Sequence, residues 1–505
     1  MKPVVARLTP ALLLAAACRG SPTGGENPPC PTSTSPLASA QAASPSRSSP
    51  FDSVFAAAGR EFRVPPELLK AIAWVETRWQ MVEGREEFPG QAPAFGVMAL
   101  RGQALERGAA LAGVTAEQAR RDAVANIRAA AALFHAYAAQ GASWSDAVAT
   151  YSGIDVAAGR AAYVAAVGRA GLAPRAAPAA GAAPCPPPAP DYGAAVWRPS
   201  PNFDQRATDS TGAIHMAIIH TCESNYASCW SWLTNSVSQV SAHYVVSEDG
   251  SEISQLVLER DRAWHIAALY DCTLNRQHHC TLNDVQSNHF TVGIEHAGFV
   301  SQDSFPASQL AASAALLCDI TRDRGIPRDW QHIVGHGQLQ PANRTDPGPN
   351  WPWIPYLHRV QAACGEVVVD DSTAYNDSAV ATVAVPAGWV ASDTTPDYYG
   401  GGYRWASTAL GATDGVEFSF RVAAAGARTL DARWTSGANR SPRAAYVVIA
   451  ATGDTLATVI VDQTAAGGAW HTLGTWTFPV GWSRVVLQRR DTSGFVVVAD
   501  AVRVR

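Results

Sequence analysis

The stretch covering residues 332–351 constrains the fold of this chain more than any other. In this stretch the apolar pair Ile333-Val334 is followed by a glycine and then by His336. Asp346 stands directly before Pro347-Gly348-Pro349. The turn residues fix the direction of the backbone, so the Asp346 carboxylate is aimed rather than left mobile. The stretch therefore predicts a histidine and a carboxylate held in fixed positions.

A second histidine stands at the end of a short apolar run, Met216–Thr221. Such a run predicts a buried strand that delivers His220 at its end. Two imidazoles and one carboxylate, with a fourth position left open, are the ligand set of a catalytic zinc site. The sequence therefore predicts a zinc site formed by His220, His336 and Asp346.

The histidines are concentrated in one part of the chain. Eleven of the thirteen lie between residues 215 and 358, which favours metal or acid–base chemistry over scattered core histidines. For any single histidine the simpler interpretation is a hydrogen-bonded structural residue. We apply that interpretation to the following: His215, His278, His279, His289 and His358. His243 follows Ser241-Ala242 on a predicted strand, where its expected role is to orient the site.

Several short motifs follow one another along residues 191–358. They are Asp191-Tyr192, Trp197-Arg198-Pro199-Ser200, Ile219-His220-Thr221, Val240-Ser241-Ala242-His243-Tyr244-Val245-Val246, Ala263-Trp264-His265, Val292-Gly293-Ile294-Glu295-His296, Gly335-His336 and Asp346-Pro347-Gly348. In this order the region resembles the zinc-dependent N-acetylmuramoyl-L-alanine amidases, whose fold is shared with peptidoglycan recognition proteins. The resemblance implies an α/β domain over residues 191–366, with a mixed sheet, flanking helices and one Zn²⁺ on His220, His336 and Asp346.

The resemblance also implies a reaction on peptidoglycan. Zinc would lower the pKa of a bound water to about 7, and the resulting hydroxide would attack the amide between N-acetylmuramic acid and L-alanine. Glu295 is placed like the acid–base carboxylate of that family, and Arg344 would steady the oxyanion. The competing interpretation is a recognition protein that binds peptidoglycan without cutting it. Such members typically lack a zinc ligand, whereas this chain keeps all three.

An all-α domain is predicted over residues 51–173. Pro65-Pro66-Glu67 opens a helix whose apolar side chains recur at helical spacing. These are Leu68, Ile72, Val75 and Trp79. Glu76 lies at the edge of that apolar stripe, where partial desolvation raises a carboxyl pKa and suits a general acid.

This segment resembles the lysozyme-like lytic transglycosylases. The resemblance rests on these motifs: Ala71-Ile72-Ala73-Trp74-Val75-Glu76-Thr77, Phe95-Gly96-Val97-Met98, Asn126-Ile127 and Thr150-Tyr151-Ser152-Gly153. It implies that Glu76 protonates a glycosidic oxygen, with Tyr151 lining the cleft. Thr77 replaces the usual serine and Ala99 the usual glutamine. The alternatives are a hydrolase acting mainly through this domain, and a helical module that only binds sugar or supports the structure.

Residues 373–505 predict an antiparallel β-sandwich, because short alternating runs are separated by Gly, Asp, Thr and Ser. The motifs Ala469-Trp470-His471 and Val498-Ala499-Asp500 resemble a golvesin-type C-terminal module. That resemblance implies carbohydrate or cell-wall binding. A spacer domain is the alternative.

The start of the chain predicts export. Residues 1–18 have the basic start and short apolar core of a signal peptide, and Ala15-Ala16-Ala17-Cys18 resembles a lipobox. Lipidation at Cys18 would give a periplasmic or cell-envelope lipoprotein, whereas ordinary cleavage would give a secreted protein. Residues 19–50 predict a disordered linker, and residues 174–190 a Pro/Ala linker.

The cysteines favour an oxidising compartment, since nine minus a lipidated Cys18 leaves an even number. Proximity in sequence favours Cys222 with Cys229 and Cys272 with Cys280. Cys318 with Cys364 and Cys30 with Cys185 would bracket domain ends. A cysteine zinc site is the competing interpretation, but no C-x-x-C pair occurs. The mild net charge of −5 and the lack of a basic tract argue against nucleic acid, and we expect a monomer.

Overall fold

The computed structural model of the chain describes residues 48–88, 90–171 and 189–505. Over these residues an all-α region, an α/β region and an all-β region follow one another, which confirms the predicted fold classes. Several predictions lie outside the described residues: the signal peptide, Cys18 as a lipid anchor, nearly all of the linker at 19–50, the linker at 174–190 up to residue 188, and the Cys30–Cys185 pair. Where the structure describes helices, none is long and apolar enough to cross a bilayer.

Seven helices and a short hairpin form the first region, which we call the helical domain. They are α1 (Asp52–Phe62), α2 (Pro66–Thr77), β1 (Ala94–Phe95), β2 (Leu100–Arg101), α3 (Gly102–Ala112), α4 (Ala116–Arg121), α5 (Ala123–Ala139), α6 (Trp144–Tyr151) and α7 (Ala157–Gly171). Pro66 starts α2 as predicted, because proline at the first helical position lacks only an N–H that would be unpaired anyway. The Ala-rich helix α5 contributes Ile127, Leu133 and Phe134 to the buried core.

The second region, which we call the central domain, is built on a mixed sheet. Its elements are β3 (Val196–Trp197), β4 (Phe203–Gln205), β5 (Met216–Thr221), α8 (Tyr226–Leu233), β6 (Tyr244–Val246), β7 (Ile253–Gln255), β8 (Asp261–Ala263), β9 (Thr291–His296), α9 (Ala307–Arg324), β10 (Ile333–Gly335), α10 (His336–Leu339) and α11 (Trp353–Ala363). The six-stranded sheet has the order β10-β5-β9-β6-β7-β3. All neighbours in it are parallel except β6 and β7.

The central sheet is buried on its inner strands, as its apolar sequence predicts. All six residues of β5 are buried, which explains why its sequence is a mainly apolar run and does not alternate between apolar and polar side chains. Helices α9 and α11 share an apolar cluster with β5 and β9, and Leu317 and Tyr356 are fully buried in it. His243 lies one residue before β6 begins, rather than within the strand that the sequence predicts.

The third region, which we call the C-terminal domain, consists of strands. They are β11 (Val367–Asp370), β12 (Ala381–Ala384), β13 (Val390–Ser392), β14 (Tyr403–Ser407), β15 (Gly415–Val422), β16 (Gly426–Arg433), β17 (Ala444–Ile449), β18 (Thr455–Val461), β19 (His471–Phe478), β20 (Gly481–Gln488), β21 (Val496–Ala499) and β22 (Ala501–Val504). The sheet orders are β11-β22-β16-β19, β12-β15-β20-β17-β18 and β13-β14-β21. Their inner faces enclose Phe418, Tyr446 and Phe478. Strand β11 lies between the predicted domain ranges and pairs with β22.

Three predicted disulfides are confirmed. Cys222 is bonded to Cys229, Cys272 to Cys280, and Cys318 to Cys364. The first bond closes the loop between β5 and α8, and the third ties α9 to the end of α11. Because these six thiols are consumed in disulfides, they cannot form the competing cysteine zinc site.

Candidate active site

The three predicted metal ligands meet at the carboxyl ends of two parallel strands. His220 lies near the end of β5, and His336 follows directly after β10, its neighbour in the sheet. His220 Nδ1 is 3.0 Å from His336 Nδ1 and 3.1 Å from Asp346 Oδ2. His336 Nδ1 is 3.2 Å from the same carboxylate oxygen. All three side chains are buried, so three ligand atoms converge on one point inside the protein.

Hydrogen bonds behind His220 fix which of its nitrogens faces that point. The Thr291 hydroxyl donates to the Ser287 carbonyl (2.7 Å), so it accepts from His265 Nε2–H (3.1 Å). His265 Nδ1 therefore accepts from His220 Nε2–H at 3.0 Å. The Nδ1 lone pair of His220 is left free to bind a cation, which is how protein surroundings usually set the tautomer of a metal ligand.

A similar arrangement orients His336. Its Nε2 lies 3.2 Å from Gln340 Oε1, and the Gln340 amide nitrogen donates to Asn343 Oδ1 at 2.9 Å. Because that second contact turns the amide oxygen toward the ring, His336 Nε2 carries a proton and donates it to Gln340. Both imidazoles thus present Nδ1 to Asp346.

The donor set fits a divalent metal ion. Tetrahedral zinc with bonds of about 2.0–2.1 Å keeps its ligand atoms about 3.3–3.4 Å apart, close to the separations found here. Among the described residues, no hydrogen-bond donor reaches Asp346 Oδ1, although the atom is buried. Burial opposes protonation of His336, but the Asp346 carboxylate outweighs it and raises the pKa of His336. A proton and a metal ion therefore compete for the same nitrogen.

Gly293 makes room for the ring behind His220. A Cβ at this position of β9 would lie 2.4 Å from Cγ of His265, well inside any real contact distance. Because residue 293 has no side chain, the imidazole of His265 can pack against the strand and reach His220. The Val292-Gly293-Ile294-Glu295 motif therefore contributes the carboxylate of Glu295 and, at Gly293, the space that the His265 ring occupies.

Glu295 lies beside the predicted metal ligands. It is paired with His220 in the parallel register of β9 and β5, so the two side chains leave the same face of the sheet. The side chain is buried, and no donor among the described residues reaches its Oε2. Burial, with the neighbouring carboxylates of Glu87 and Asp346, raises the pKa of Glu295 well above its usual range. A carboxyl that holds its proton more firmly than usual suits general acid–base catalysis.

A fourth carboxylate reaches this site from the helical domain. Glu87 lies with Oε1 3.4 Å from His336 Nδ1 and 3.4 Å from Arg344 Nε. Its ligand atom belongs with those of His220, His336 and Asp346 to one group in which all separations are within 4.8 Å. The predicted oxyanion cation Arg344 is therefore close to the site, but paired with Glu87. No sequence pattern singles out Glu87, since it stands in an irregular loop far along the chain from the other three residues.

The predicted general acid of the helical domain is enclosed. Glu76, in α2, is 7 % exposed. Tyr163 Oη donates to its Oε1 at 2.5 Å, and Asn225 Nδ2 of the central domain donates to its Oε2 at 3.0 Å. Burial raises the pKa of Glu76 above its usual range. The half-buried Tyr151, predicted to line the cleft, donates its hydroxyl hydrogen to the Met98 carbonyl.

The two departures from the transglycosylase pattern have different structural outcomes. The Thr77 hydroxyl donates to the carbonyls of Ala73 and Val97, so the hydroxyl function is kept. Ala99 is buried in an apolar cluster with Val82 and with Phe299 of the central domain. A small side chain at residue 99 therefore lets the central domain pack where the family usually carries a cleft amide.

Four other histidines of the central domain have structural partners. His243 accepts from Gly293 N at Nδ1, and His296 lies against the His220 carbonyl and the Ser313 hydroxyl. His289 accepts from Ala207 N, and His358 lies 2.8 Å from the Tyr375 carbonyl. Apart from His220 and His336, no histidine among the described residues joins the group that could hold a metal.

Known families match all three regions. The chain matches the N-acetylmuramoyl-L-alanine amidase family model over residues 210–349, the transglycosylase SLT domain over 53–164 and the golvesin C-terminal domain over 368–505. These are the families predicted from the sequence, in the predicted order.

Three curated proteins illustrate the match. N-acetylmuramoyl-L-alanine amidase A of Achromobacter lyticus is 32% identical over 194 residues, which is 35% of this chain and 98% of that protein. Xanthan lyase of Bacillus sp. (strain GL1) is 28% identical over 225 residues, 43% of this chain and 22% of that protein. N-acetylmuramoyl-L-alanine amidase AmiD of Escherichia coli (strain K12) is 30% identical over 156 residues, 28% of this chain and 51% of that protein.

The Achromobacter amidase is matched along nearly its whole length, and the matched family model includes the strand, the histidines and the Asp-Pro-Gly turn that form the site. The chain therefore belongs to the N-acetylmuramoyl-L-alanine amidase family, and is a peptidoglycan amidase with an SLT domain before the amidase domain and a golvesin-like domain after it.

Proposed function

We propose that this amidase is zinc-dependent and that its zinc ligands are His220, His336 and Asp346. The observation that carries the proposal is the convergence of two Nδ1 atoms and one carboxylate oxygen at 3.0–3.2 Å. A zinc ion held there would polarise the scissile carbonyl and lower the pKa of water to about 7. The target is the amide between the lactyl group of N-acetylmuramic acid and L-alanine.

Glu295 is the acid–base residue of the proposed mechanism. Its carboxylate takes a proton from the attacking water and passes it to the leaving amine of L-alanine. Its raised pKa supports this role, because a strongly acidic carboxyl would hold the proton too weakly to transfer it. Its position opposite His220 supports it too, since the water and the amine must both be within reach.

Arg344 contributes charge and not a proton. Arginine stays protonated at neutral pH, so it can only steady the oxyanion of the tetrahedral intermediate. In the structure its Nε is 3.4 Å from Glu87 Oε1. The oxyanion role therefore requires the guanidinium to exchange Glu87 for substrate.

We propose an extracytoplasmic location, either as a Cys18-linked lipoprotein or as a secreted protein. Three disulfides support an oxidising compartment, and peptidoglycan lies outside the cytoplasm. Cell-wall carbohydrate binding by the C-terminal domain and a monomeric state stay predictions.

Glycan cleavage by Glu76 is the second candidate function. The favouring observations are the SLT match and a carboxyl whose pKa is raised by burial.

The test combines metal analysis with mass spectrometry of digested muropeptides. We expect about one zinc per full-length chain and products with a free L-alanine amine. The His336→Ala protein should lose both the bound zinc and the amide cleavage. The His358→Ala protein should keep both, because His358 lies in the same domain but outside the metal group. Full amide cleavage by zinc-free protein would overturn the proposal.

A further inference from the structure

A loop of the helical domain enters the amidase site. It connects α2 to β1, and the central domain holds its backbone at two points. Glu83 N donates to Ser301 Oγ at 3.0 Å, and Arg85 N donates to Glu223 Oε2 at 3.0 Å. These bonds are made by the main chain, so they fix the path of the loop whatever its side chains are.

Phe88 anchors the tip of this loop. The ring is 5 % exposed and packs in an apolar cluster of the central domain. That cluster includes Cys222, Cys229, Trp230, Leu233, Val245 and Leu256. A buried phenylalanine ring removes a large apolar surface from water, so the loop is docked by a substantial apolar contact. Glu87, the residue before it, is thereby placed among the metal ligands.

Glu87 is positioned as a ligand and not as a surface acid. Its side chain is 7 % exposed, and its Oε1 is 3.4 Å from His336 Nδ1. That separation is the spacing of neighbouring ligand atoms in tetrahedral zinc, about 3.3–3.4 Å. Glu87, Asp346 and Glu295 bring three buried carboxylates together, and such a cluster is costly unless a cation balances it. Arg344 supplies one positive charge, and a divalent ion would supply the rest.

We propose that Glu87 is a removable fourth ligand of the metal, which closes the amidase site while the helical domain is docked. The inference rests on the proposed zinc site. A catalytic zinc keeps three protein ligands and one position for water or substrate. When Glu87 fills that position and pairs with Arg344, neither water nor the oxyanion can take its place. The docked chain is therefore latent, and peptidoglycan is cut only after the loop withdraws.

The decisive variant is Glu87→Ala in the full-length chain, with Glu83→Ala as the matched control. Glu83 belongs to the same loop, and its side chain is exposed. Zinc affinity is measured by competition with a chelator, and visible spectra of cobalt-substituted protein report the ligand set. Cleavage is measured on a soluble muramyl peptide.

The expected result is a change of opposite sign in two readouts. Glu87→Ala should bind zinc about 10-fold or more weakly and alter the cobalt spectrum. It should also cleave about 10-fold faster if the closed form holds about 90% of the molecules. A catalytic or merely structural glutamate would lower both quantities. Unchanged affinity, or weaker binding together with slower cleavage, would overturn the proposal.

A second variant tests the same idea without touching a ligand. Glu223 accepts from Arg85 N and from Val300 N through its two oxygens, and Glu223→Gln removes one of those acceptors. Loosening the loop should again speed cleavage. If the wild type binds no zinc, the proposed function fails. If zinc binds through His336 but both variants behave as wild type, only the role of Glu87 fails.

Discussion

Two buried carboxylate sites in this chain differ in how their oxygens are satisfied. Both oxygens of Glu76 accept hydrogen bonds, one from Tyr163 and one from Asn225. Asp346 and Glu295 each keep a buried oxygen that no donor among the described residues reaches. Protein interiors rarely leave such atoms unpaired, so the unsatisfied site is one prepared for a ligand. The satisfied site has become part of an interface between domains.

The largest effect is expected at the unsatisfied site. Glu295→Gln keeps the shape of the side chain but cannot carry the proton, so amide cleavage should fall roughly 10²–10⁴-fold. Zinc content should stay at the wild-type value, because Glu295 is not among the proposed ligands. Asp284→Asn, an exposed change in the same domain, serves as the control. Near-normal turnover of Glu295→Gln would move the acid–base role to another residue.

A smaller effect is expected at His265, which lies behind the proposed metal ligand His220. His265→Ala removes the acceptor of His220 Nε2–H, so the free nitrogen of His220 is no longer fixed toward the metal. Zinc affinity should fall about 10–100-fold, as measured by chelator competition. His265→Gln, which offers an amide oxygen as acceptor, should recover part of the loss. Equal affinity in all three proteins would show that the tautomer of His220 is set elsewhere.

One substitution can remove a hydrogen-bond donor from the buried carboxylate of Glu76. Asn225→Asp keeps the oxygen that caps α8 at Ser228 N, but replaces the donor to Glu76 by a second carboxylate oxygen. The free energy of unfolding should fall by about 1–3 kcal/mol, measured by urea titration. Asn225→Ser, which keeps a capping oxygen without adding charge, should cost less. If repulsion between the introduced carboxylate and Glu76 exposes a catalytic Glu76 to substrate, the Asn225→Asp protein should digest glycan strands. That digestion should vanish when Glu76→Gln is added.

The smallest effect is a pH dependence at Glu76. Burial raises its pKa in the folded chain, so above the unfolded value of about 4.3 the folded state holds the proton more firmly. Stability contributed by the protonated form is therefore lost as the pH rises through the folded pKa, by at most about 1.4 kcal/mol per pH unit. Glu76→Gln cannot titrate there. The unfolding free energy of wild type minus variant should fall as the pH rises above the unfolded value and level off above the folded pKa, and a constant difference would contradict the raised pKa.

Much of the amidase site could be predicted, because its residues are carried by local patterns. His220 ends an apolar run that has the length of a buried strand, and β5 has the predicted bounds. The Asp346-Pro347-Gly348 turn follows His336 closely enough to return to it. Pairing Cys318 with Cys364 was also open to prediction, since both close the end of one domain.

Contacts between domains could not be predicted in the same way. Glu87 and Asn225 follow no spacing rule, because the position of each is decided by docking and not by its neighbours in sequence. The nearest signal is Ala99, which departs from the transglycosylase pattern where Phe299 packs. Only the assembled domains show that this departure makes room for a partner side chain.

Gly293 shows that a functional position can be defined by what it lacks. A methyl group there would displace the ring of His265, and His220 would lose the acceptor that orients it. A design that grafts this site onto a new scaffold would copy the ligands first. It could then place a strand-forming residue with a side chain at the position of Gly293. The graft would then contain every reactive group and still bind metal poorly. Empty space beside the strand is as much a component of the site as the imidazoles.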